Sequence, residues 1–532
     1  MSMIMSDTHE FSSSFVTLIA AALALISAIL ILITHVTKSS QKTKKYHPFG
    51  STHLNKILHY DTLLDFITEL CRKYKTYRLR SFSSSEIFTV DPAVVEHILK
   101  TNFPNYGKKI LILPRKWKLQ GFFQNIVKDL LGDGIFAVDG EKWKHQRKVS
   151  SYEFSTKIVR DFSSVVFKNT AVKLVRIISE ASAANPSLDM QDFLMRASLD
   201  SVFKVILGTD LDGLSGTYDE GDRFTKAFDK ANAITSFRFA DLFWKIKRFL
   251  NIGSEAELRK NIKVIDEFVY KLIKSKKEQL NNPQNDLKPG KKEDILSRFL
   301  ELGETDPKYL RDIVLNFVIA GKDTTAITIS WFFYLLCKHP EIQEKIAKQI
   351  IEATQVSSDS SIEELAAKVN EETLDKMHYL HAALSETLRL YSPVPMDGKS
   401  VFSDDTLPDG FSVKKGDVVA FVPYAMGRMK DLWGNDAEEF RPERWLDENG
   451  HFRPESPFVF TAFQGGPRIC IGKDFAYRQM KIFSMILIGS YRFKLSDESK
   501  PVKYKTALTL HIDGGLHLRV FPRSRNEETF SA

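Results

Sequence analysis

Residues 463–472, which read Phe-Gln-Gly-Gly-Pro-Arg-Ile-Cys-Ile-Gly, decide how the rest of this chain is interpreted. Their cysteine, Cys470, lies between a Gly-Gly-Pro turn and an apolar segment, Phe475–Ile488, that predicts a helix. The dipole and free N–H groups of a helix N-terminus stabilise a thiolate. A lone thiolate held in this way suits the axial ligand of a haem iron. The alternative is a buried free cysteine, the commonest state of a single cysteine.

The spacing of five residues in this cysteine loop (463–472) resembles the haem-binding loop of the cytochrome P450 superfamily, and every fixed position is filled. The resemblance implies that Cys470 binds the iron of haem (heme b) and that Phe463 shields its sulfur. It also implies that Gly466 lets the backbone pass close under the porphyrin and that Arg468 reaches a haem propionate. Gly472 would allow close approach of the following helix.

Composition fits a globular protein in a reducing compartment. The chain has 532 residues, of which 43% are hydrophobic and 27% charged, as in ordinary globular chains. Its three cysteines, Cys71, Cys337 and Cys470, are too few for a disulfide framework or a four-cysteine metal site. The formal net charge of +8 indicates a membrane surface and acidic partners, and not nucleic acid.

The uncharged segment Phe15–Val36 predicts one N-terminal transmembrane helix. Its 22 residues span about 33 Å as a helix, enough for a bilayer core. Acidic residues precede it and four lysines follow it, Lys38, Lys42, Lys44 and Lys45, so the rest of the chain is expected in the cytosol. A cleaved signal peptide is disfavoured because the apolar run is too long and a basic leader is missing. We expect an anchor with a basic linker at 1–45 and a catalytic domain at 46–532.

The remaining pattern predicts a mainly α fold with a minor β part, the cytochrome P450 fold by resemblance. Helical periodicity dominates between Pro92 and about Asn281. A long helix is expected from about Asp306 to Lys338, before His339-Pro340. Another helix is expected at Leu374–Tyr391. Short alternating runs predict strands at 77–80, 87–90, 412–420 and 508–520.

An unusual stretch, Ala320–Thr325, lies inside the long predicted helix. Gly321 and the threonine pair weaken helix propensity there. In one interpretation Thr324 bonds back to the carbonyl of Ala320 and loosens the helix, opening a groove lined by a hydroxyl and the Asp323 carboxylate. In the other the helix breaks and Asp323 or Thr324 caps a new one. The resemblance favours the groove: Ala320 would pack on the porphyrin, and Thr324 and Asp323 would deliver protons for oxygen cleavage.

Trp143 and Arg147 stand four residues apart and therefore share one helix face. They match the family's Trp-x-x-x-Arg helix, which implies that both reach haem propionates. Lys399 and Ser400 occupy the region of a third propionate contact, and the sequence leaves the choice between them open.

Glu386 and Arg389 also share one helix face, among leucines that argue for burial. The alternative is an exposed ion pair. In the family a later arginine, here Arg444, completes a Glu-Arg-Arg network, which we expect to support the cysteine loop. A basic surface for an acidic electron donor is expected from Lys142, Lys144, Lys148, Lys473, Arg478 and Lys481.

The amino-acid sequences of several segments most closely resemble those of the plant 704 family, within the fatty-acid hydroxylase clan. These segments are Lys45–Pro48, Ala425–Arg428, Phe463–Pro467 and Phe475–Lys481. The resemblance implies a monooxygenase of the endoplasmic reticulum membrane, single-pass with a cytosolic catalytic domain, that hydroxylates long-chain fatty acids at or near the ω carbon. It implies electrons from NADPH through NADPH–cytochrome P450 reductase, with cytochrome b5 as a further expected partner, and an apolar substrate.

Substrate identity stays open at this point. The resemblance implies that the pocket wall includes the segment before Trp143, Phe224–Phe249, Phe317, Val394–Met396 and Leu508. Candidates for binding a substrate carboxylate are Arg223, Arg238 and Lys109. A specialised metabolite such as a steroid or terpenoid is an alternative substrate. Two other activities also remain: a hydroperoxide isomerase or dehydratase that needs no reductase, and a haem sensor or carrier without turnover.

Overall fold

The computed structural model describes residues 49–52, 58–80, 85–108, 122–216, 219–241, 243–280, 294–356, 360–505 and 507–523. These residues belong to one compact unit, His47–Ala532. The predicted membrane span at 15–36 lies outside the described residues, and the predicted boundary at residue 46 stays a prediction. Within the described part, only Pro307–Lys338 is long and apolar enough to cross a membrane, and 83% of its most apolar window is buried, as in the core helix of a globular protein.

Helices make up most of the described chain, as the sequence predicts. The first nine are α1 (Leu63–Tyr74), α2 (Pro92–Glu96), α3 (Phe122–Leu131), α4 (Gly140–Ser155), α5 (Lys157–Ala184), α6 (Met190–Leu207), α7 (Asp219–Phe237), α8 (Trp244–Leu250) and α9 (Gly253–Leu280). The others are α10 (Ile295–Glu301), α11 (Pro307–Lys338), α12 (Pro340–Thr354), α13 (Ile362–Lys368), α14 (Glu371–Lys376), α15 (His378–Leu390), α16 (Pro423–Met426), α17 (Lys430–Trp433) and α18 (Lys473–Ser490).

The strands are short and form a minor part of the fold. They are β1 (Phe49–Thr52), β2 (Thr76–Arg80), β3 (Ser85–Thr89), β4 (Tyr106–Gly107), β5 (Leu188–Asp189), β6 (Asp397–Val401), β7 (Asp405–Thr406), β8 (Ser412–Val413), β9 (Val418–Phe421), β10 (Tyr491–Leu495), β11 (Tyr504–Lys505), β12 (His511–Ile512) and β13 (His517–Pro522). The largest sheet has the order β1-β2-β3-β9-β6-β4, and a second has the order β10-β13-β5. The strands predicted at 412–420 and 508–520 are each divided in two by a turn.

Helix α11 forms the centre of the helical part. It begins where Asp306 accepts a hydrogen bond from the Lys308 N–H and Pro307 fills the first helical position, both strong start signals. It ends at His339, before Pro340. It packs along α6 and α15, and most of its side chains are buried, because it is apolar on nearly every side.

The helix predicted at Leu374–Tyr391 is instead two helices, α14 and α15. Met377 lies between them with backbone angles outside the helical region. Asn370 accepts a hydrogen bond from the Thr373 N–H and caps α14. The interruption between α14 and α15 was not predictable from the sequence, because methionine is not a residue that favours turns.

Candidate active site

The cysteine loop closes on itself by backbone hydrogen bonds. The Cys470 N–H donates to the Phe463 carbonyl at 2.8 Å, after a tight turn over Gly466–Arg468. Helix α18 begins three residues after Cys470, at Lys473, so the predicted position near a helix N-terminus is correct. The Phe463 ring packs against Tyr477 of α18 with ring centroids 5.3 Å apart. Within the described residues, no group of three or more His, Cys, Asp or Glu side chains could hold a metal ion.

The ionisation of Cys470 differs from the sequence prediction. Its side chain is accessible although protein atoms surround it densely. Burial raises the pKa of the Cys470 thiol, and the opposing effects of the Gly472 N–H and the Arg147 guanidinium do not cancel this rise. The helix N-terminus alone therefore does not make the thiolate the favoured form. Coordination to a metal ion deprotonates a thiol outright.

Gly466 is required by a close backbone contact. Its φ is +62°, and a Cβ atom there would lie 2.0 Å from the Leu99 carbonyl oxygen. Leu99 belongs to the short helical turn His97–Thr101, which follows α2. The loop therefore rests directly on the N-terminal part of the fold, and only a residue without a side chain allows this approach.

We expect Gly466→Ala to lower the haem content of the purified protein strongly. The added methyl group meets backbone rather than a flexible side chain, and a positive φ adds about 1–2 kcal/mol of strain. The haem-to-protein absorbance ratio measures the effect. Gly450→Ala is the matched control, because Gly450 has a φ of +78° but nothing within 4 Å of the added atom. Equal haem contents in the two variants would contradict the proposed role of the Leu99 contact.

Trp143, Arg147 and Arg468 converge beside the cysteine loop, as expected from the sequence. Arg147 lies one helical turn after Trp143 on α4 and donates to the Ile469 carbonyl at 2.5 Å. The Arg468 guanidinium lies 4.5 Å from the centre of the Trp143 ring. Arg468 also donates to the Asp139 carboxylate at 2.5 Å, and its buried Nε has no hydrogen-bond partner among the described residues.

A second polar cluster, which the sequence does not reveal, adjoins this one. Asp397 of β6 accepts hydrogen bonds from Lys108 at 2.5 Å, from Lys399 at 2.6 Å and from Gln464 at 2.7 Å. Gln464 has a positive φ of 63°, and its side chain ties the cysteine loop to the sheet. Of the two residues left open as a third propionate contact, Lys399 is the cation, and it is almost fully buried.

These residues fit the two carboxylates of a haem group. Four cations surround the loop, and two carboxylates are bonded to three of them, which leaves an excess of positive charge. The cations are Lys108, Arg147, Lys399 and Arg468, and the carboxylates are Asp139 and Asp397. Burial, together with Lys108 and Arg468, lowers the pKa of Lys399 to about 7 although Asp397 opposes the change. Buried cations in excess require anionic partners, and propionates supply them.

Helix α11 runs without interruption through Ala320–Thr325, so the alternative of a helix break is wrong. Thr324 donates its hydroxyl to the Ala320 carbonyl at 2.5 Å, as predicted. Gly321 has a further role: a Cβ there would lie 2.7 Å from Val202 of α6. Glycine therefore allows α6 and α11 to pack closely.

Asp323 and Thr324 do not line the same groove in this structure. Thr324 and Ala320 are half-buried, whereas Asp323 is only 1% exposed. The Asp323 carboxylate points toward α7 and accepts from the Asn232 amide at 2.9 Å. The prediction that the Thr324 hydroxyl and the Asp323 carboxylate line one groove is therefore wrong for Asp323, because its hydrogen bond to Asn232 fixes the carboxylate toward α7.

Glu386 is the centre of the predicted Glu-Arg-Arg network, which is buried. Arg389 donates twice to its carboxylate at 2.7 Å, and Arg444 lies 3.3 Å away. Trp445 donates its indole N–H to Glu386 at 2.8 Å, a contact that the sequence did not indicate. Arg389 also binds the Gly427 carbonyl. The exposed side-chain fractions of Glu386 and Arg389 are 0%, which excludes the surface ion pair.

The predicted role of Arg238 is wrong because this cation is already engaged. Arg238 is buried and binds Glu255 and Asp129, so it does not lie free at a pocket mouth. Lys481 is partly buried and donates to the Leu374 carbonyl. Of the other substrate-carboxylate candidates, Arg223 is exposed on α7, and Lys109 lies outside the described residues.

Comparison with known proteins agrees with this site. The cytochrome P450 family model matches residues 46–519. Cytochrome P450 704C1 of Pinus taeda is 48% identical over 530 residues, which cover 96% of this chain and 98% of that protein. Cytochrome P450 704B1 of Arabidopsis thaliana is 43% identical, with 92% and 95% covered. Cytochrome P450 86B1 of Arabidopsis thaliana is 39% identical, with 86% and 81% covered.

Proposed function

Because the chain belongs to the cytochrome P450 family, it is a haem-thiolate monooxygenase, and we propose that it hydroxylates long-chain fatty acids at or near the ω carbon. The observation that carries the site assignment is the convergence of Cys470, Trp143, Arg147 and Arg468 from distant segments. Electrons come from a redox partner, typically a reductase that uses NADPH. The substrate part of the proposal rests on the resemblance to the plant 704 family.

We assign the haem-binding roles as follows. Cys470 would ligate the iron, and Phe463, which packs on the ring of Tyr477, would shield the sulfur. Arg147, Lys399 and Arg468 would supply positive charge for the propionates and Trp143 an indole N–H donor, and Ala320 would pack against the porphyrin. When bound, the haem activates dioxygen for insertion of one oxygen atom into a C–H bond. The protein supplies ligation, orientation and protons.

Thr324 is the proposed hydroxyl through which protons enter the oxygen-binding groove. Its side chain is half-buried, and its hydroxyl donates to the Ala320 carbonyl one turn earlier in α11. Asp323 is the proposed proton donor behind it. The second oxygen atom leaves as water, which requires two protons and two electrons in each turnover.

We expect Thr324→Ala to keep the haem spectrum but to divert reducing equivalents to peroxide. Without the hydroxyl, protons arrive at the groove in the wrong position and reduced oxygen is released. Peroxide formed per NADPH consumed measures this leak. Thr325→Ala is the matched control, because Thr325 is the neighbouring threonine and its side chain is buried. Full coupling in Thr324→Ala would remove Thr324 from the proton route.

An exposed apolar surface supports association with a membrane. Helix α8 and the residues on either side of it expose Phe243, Ile246, Phe249, Leu250 and Ile252. Lys245 and Arg248 lie among them and are also exposed. Apolar side chains mixed with basic residues are typical of a helix at a lipid interface. Together with the predicted span at 15–36, this surface supports our proposal of single-pass anchoring in the endoplasmic reticulum membrane. The proposed electron donors there are the NADPH-dependent reductase and cytochrome b5.

Expression in microsomes with a reductase tests the function. A series of saturated and unsaturated fatty acids is supplied with NADPH, and the position of each new hydroxyl group is mapped by mass spectrometry. We expect products at the terminal or neighbouring carbons. Conversion of steroids or terpenoids alone would overturn the fatty-acid assignment. Product formation that is independent of NADPH would instead favour a hydroperoxide isomerase or dehydratase.

A further inference from the structure

One buried carboxylate, that of Asp397, holds two lysines beside the cysteine loop. Its Oδ1 accepts a hydrogen bond from Lys108 at 2.5 Å, and its Oδ2 accepts from Lys399 at 2.6 Å and from Gln464 at 2.7 Å. We call these four residues the Asp397 cluster. The exposed side-chain fractions are 8% for Lys108, 10% for Asp397 and 3% for Lys399. Buried lysines are rare unless they are paired, so the bonds to Asp397 explain why both lysines can be buried.

The two lysines come from neighbouring strands of the largest sheet. Asp397 and Lys399 lie two residues apart on β6, so their side chains leave the same face of the strand. Strand β4 pairs antiparallel with β6, with Gly107 opposite Ser400, and the same register places Lys108 beside Lys399. Like charges at neighbouring positions of a sheet repel each other. The carboxylate that both ammonium groups share offsets this repulsion.

Gln464 connects the Asp397 cluster to the cysteine loop. Its side-chain amide donates to Asp397, and because a carboxylate only accepts, the amide oxygen must face the other way. This Gln464 Oε1 atom is buried and has no hydrogen-bond partner in the part of the chain that the structure describes, and the same holds for Arg468 Nε. Buried polar atoms are normally satisfied by protein groups, water or an ion. An acceptor and a donor on one loop therefore indicate that a polar group binds beside it.

The Asp397 carboxylate carries a negative charge at neutral pH. Burial raises its pKa, but Lys108 and Lys399 outweigh burial and hold the pKa below its usual value. Burial, Lys108 and Arg468 together lower the pKa of Lys399 to about 7, and Asp397 is the group that opposes them. Asp397 thus helps to keep Lys399 charged, while its single charge balances only one of the two lysines. The other positive charge is left for a second anion.

We propose that Asp397 and Gln464 are positioning residues for the haem. Asp397 holds the ammonium groups of Lys108 and Lys399 side by side, where their uncompensated charge faces a propionate, and Gln464 ties this pair to the loop that carries Cys470. Asp397 also places a fixed negative charge beside the haem, which opposes the addition of an electron to the iron and lowers its reduction potential. The proposal rests on the haem-binding roles given under the proposed function.

Three variants test charge and linkage separately. Asp397→Asn keeps the shape of the side chain but removes its negative charge, and Lys399→Met removes a positive charge. Gln464→Met removes the link to the loop and leaves the charge unchanged. The measurements are the reduction potential of the haem iron and the rate at which haem transfers from the purified protein to excess apomyoglobin. Neither measurement requires a substrate or turnover.

Asp417→Asn is the matched control. Asp417 lies directly before β9 in the same sheet, is 7% exposed and pairs with Arg78 at 3.3 Å. Its carboxylate also accepts from the backbone N–H groups of Ser85 and Lys414. The substitution therefore removes a buried, paired carboxylate with a structural role. We expect its melting temperature to fall while the reduction potential and the rate of haem transfer keep their wild-type values.

We expect the reduction potential to rise in Asp397→Asn and to fall in Lys399→Met. In Asp397→Asn the propionates still hold both lysines in the charged form, so the loss of the carboxylate adds positive charge, which favours the added electron. We expect haem transfer to become several-fold faster in these two variants and in Gln464→Met, whose reduction potential stays near the wild-type value. A purely structural role of Asp397 would not move the potential in opposite directions in the two charge variants.

Wild-type values of both the reduction potential and the transfer rate in Asp397→Asn would overturn the proposal, and so would equal effects of Asp397→Asn and Asp417→Asn. If Asp397→Asn does not fold, Lys399→Met and Gln464→Met decide the outcome, and wild-type values in both would overturn it. A wild-type protein that binds haem but hydroxylates none of the fatty acids would refute the proposed substrate instead, and the haem measurements would still decide the role of Asp397.

Discussion

Cys470→Ala is expected to abolish hydroxylation and the thiolate-type spectrum of the reduced CO complex. The sulfur is the one ligand that the cysteine loop offers, and its charge pushes electron density toward bound oxygen. Since burial raises the pKa of the thiol, the iron and the sulfur stabilise one another: the metal keeps the thiol deprotonated and the thiolate keeps the metal in place. We therefore expect much of the haem to be lost as well.

Cys337→Ala is the matched control for this experiment. Cys337 is a half-buried free cysteine at the end of α11, so the substitution removes a thiol elsewhere in the fold without touching the loop. Difference spectra of the reduced CO complexes measure both variants. A normal thiolate spectrum in Cys470→Ala would reject the ligand assignment, and its loss in both variants would show that the effect is not specific.

Glu386→Gln is expected to lower the free energy of unfolding by about 3–5 kcal/mol, because it strands two buried arginines without their counter-ion. Arg389 and Arg444 both lie at this carboxylate, and Trp445 and the Arg441 N–H also donate to it. The neutral amide keeps the shape of the side chain but supplies one acceptor oxygen instead of two. Chemical denaturation followed by tryptophan fluorescence measures the change.

Glu443→Gln is the comparison variant for the buried network. Glu443 binds Lys345 at 2.8 Å and Tyr379 at 2.9 Å, but about half of its side chain is exposed. Solvent screens such a pair, so we expect a loss below about 1 kcal/mol. A similar loss in the two variants would show that burial of the network adds nothing to its strength.

Local spacing made one part of the site predictable. The cysteine loop, the pair Trp143 and Arg147, and the pair Glu386 and Arg389 are short patterns on turns and helix faces, whereas the place of Arg444 beside Glu386 came only from the family resemblance. The mainly helical fold was predictable because the spacing of apolar residues along a helix is also a local pattern. The direction of the Asp323 carboxylate was not predictable, because it depends on Asn232 of another helix.

Other contacts were hidden because the residues involved look ordinary in sequence. Lys322 lies in an apolar helix and resembles an isolated surface lysine, yet it is 1% exposed. Gln464 adopts a positive φ that is unusual for a residue with a side chain, and this conformation lets it reach Asp397. Such contacts between distant segments carry no periodic signal.

The contact between Gly466 and Leu99 also sets the order of events during synthesis. Leu99 leaves the ribosome long before the cysteine loop is synthesised. The backbone at Leu99 is therefore present before the loop that packs against it. Contacts between distant segments form late and slowly, and the N-terminal portion of a growing chain folds first. Because both sides of this contact must be present before the loop can close, residues 463–472 can take their final conformation only after nearly the whole chain has been made.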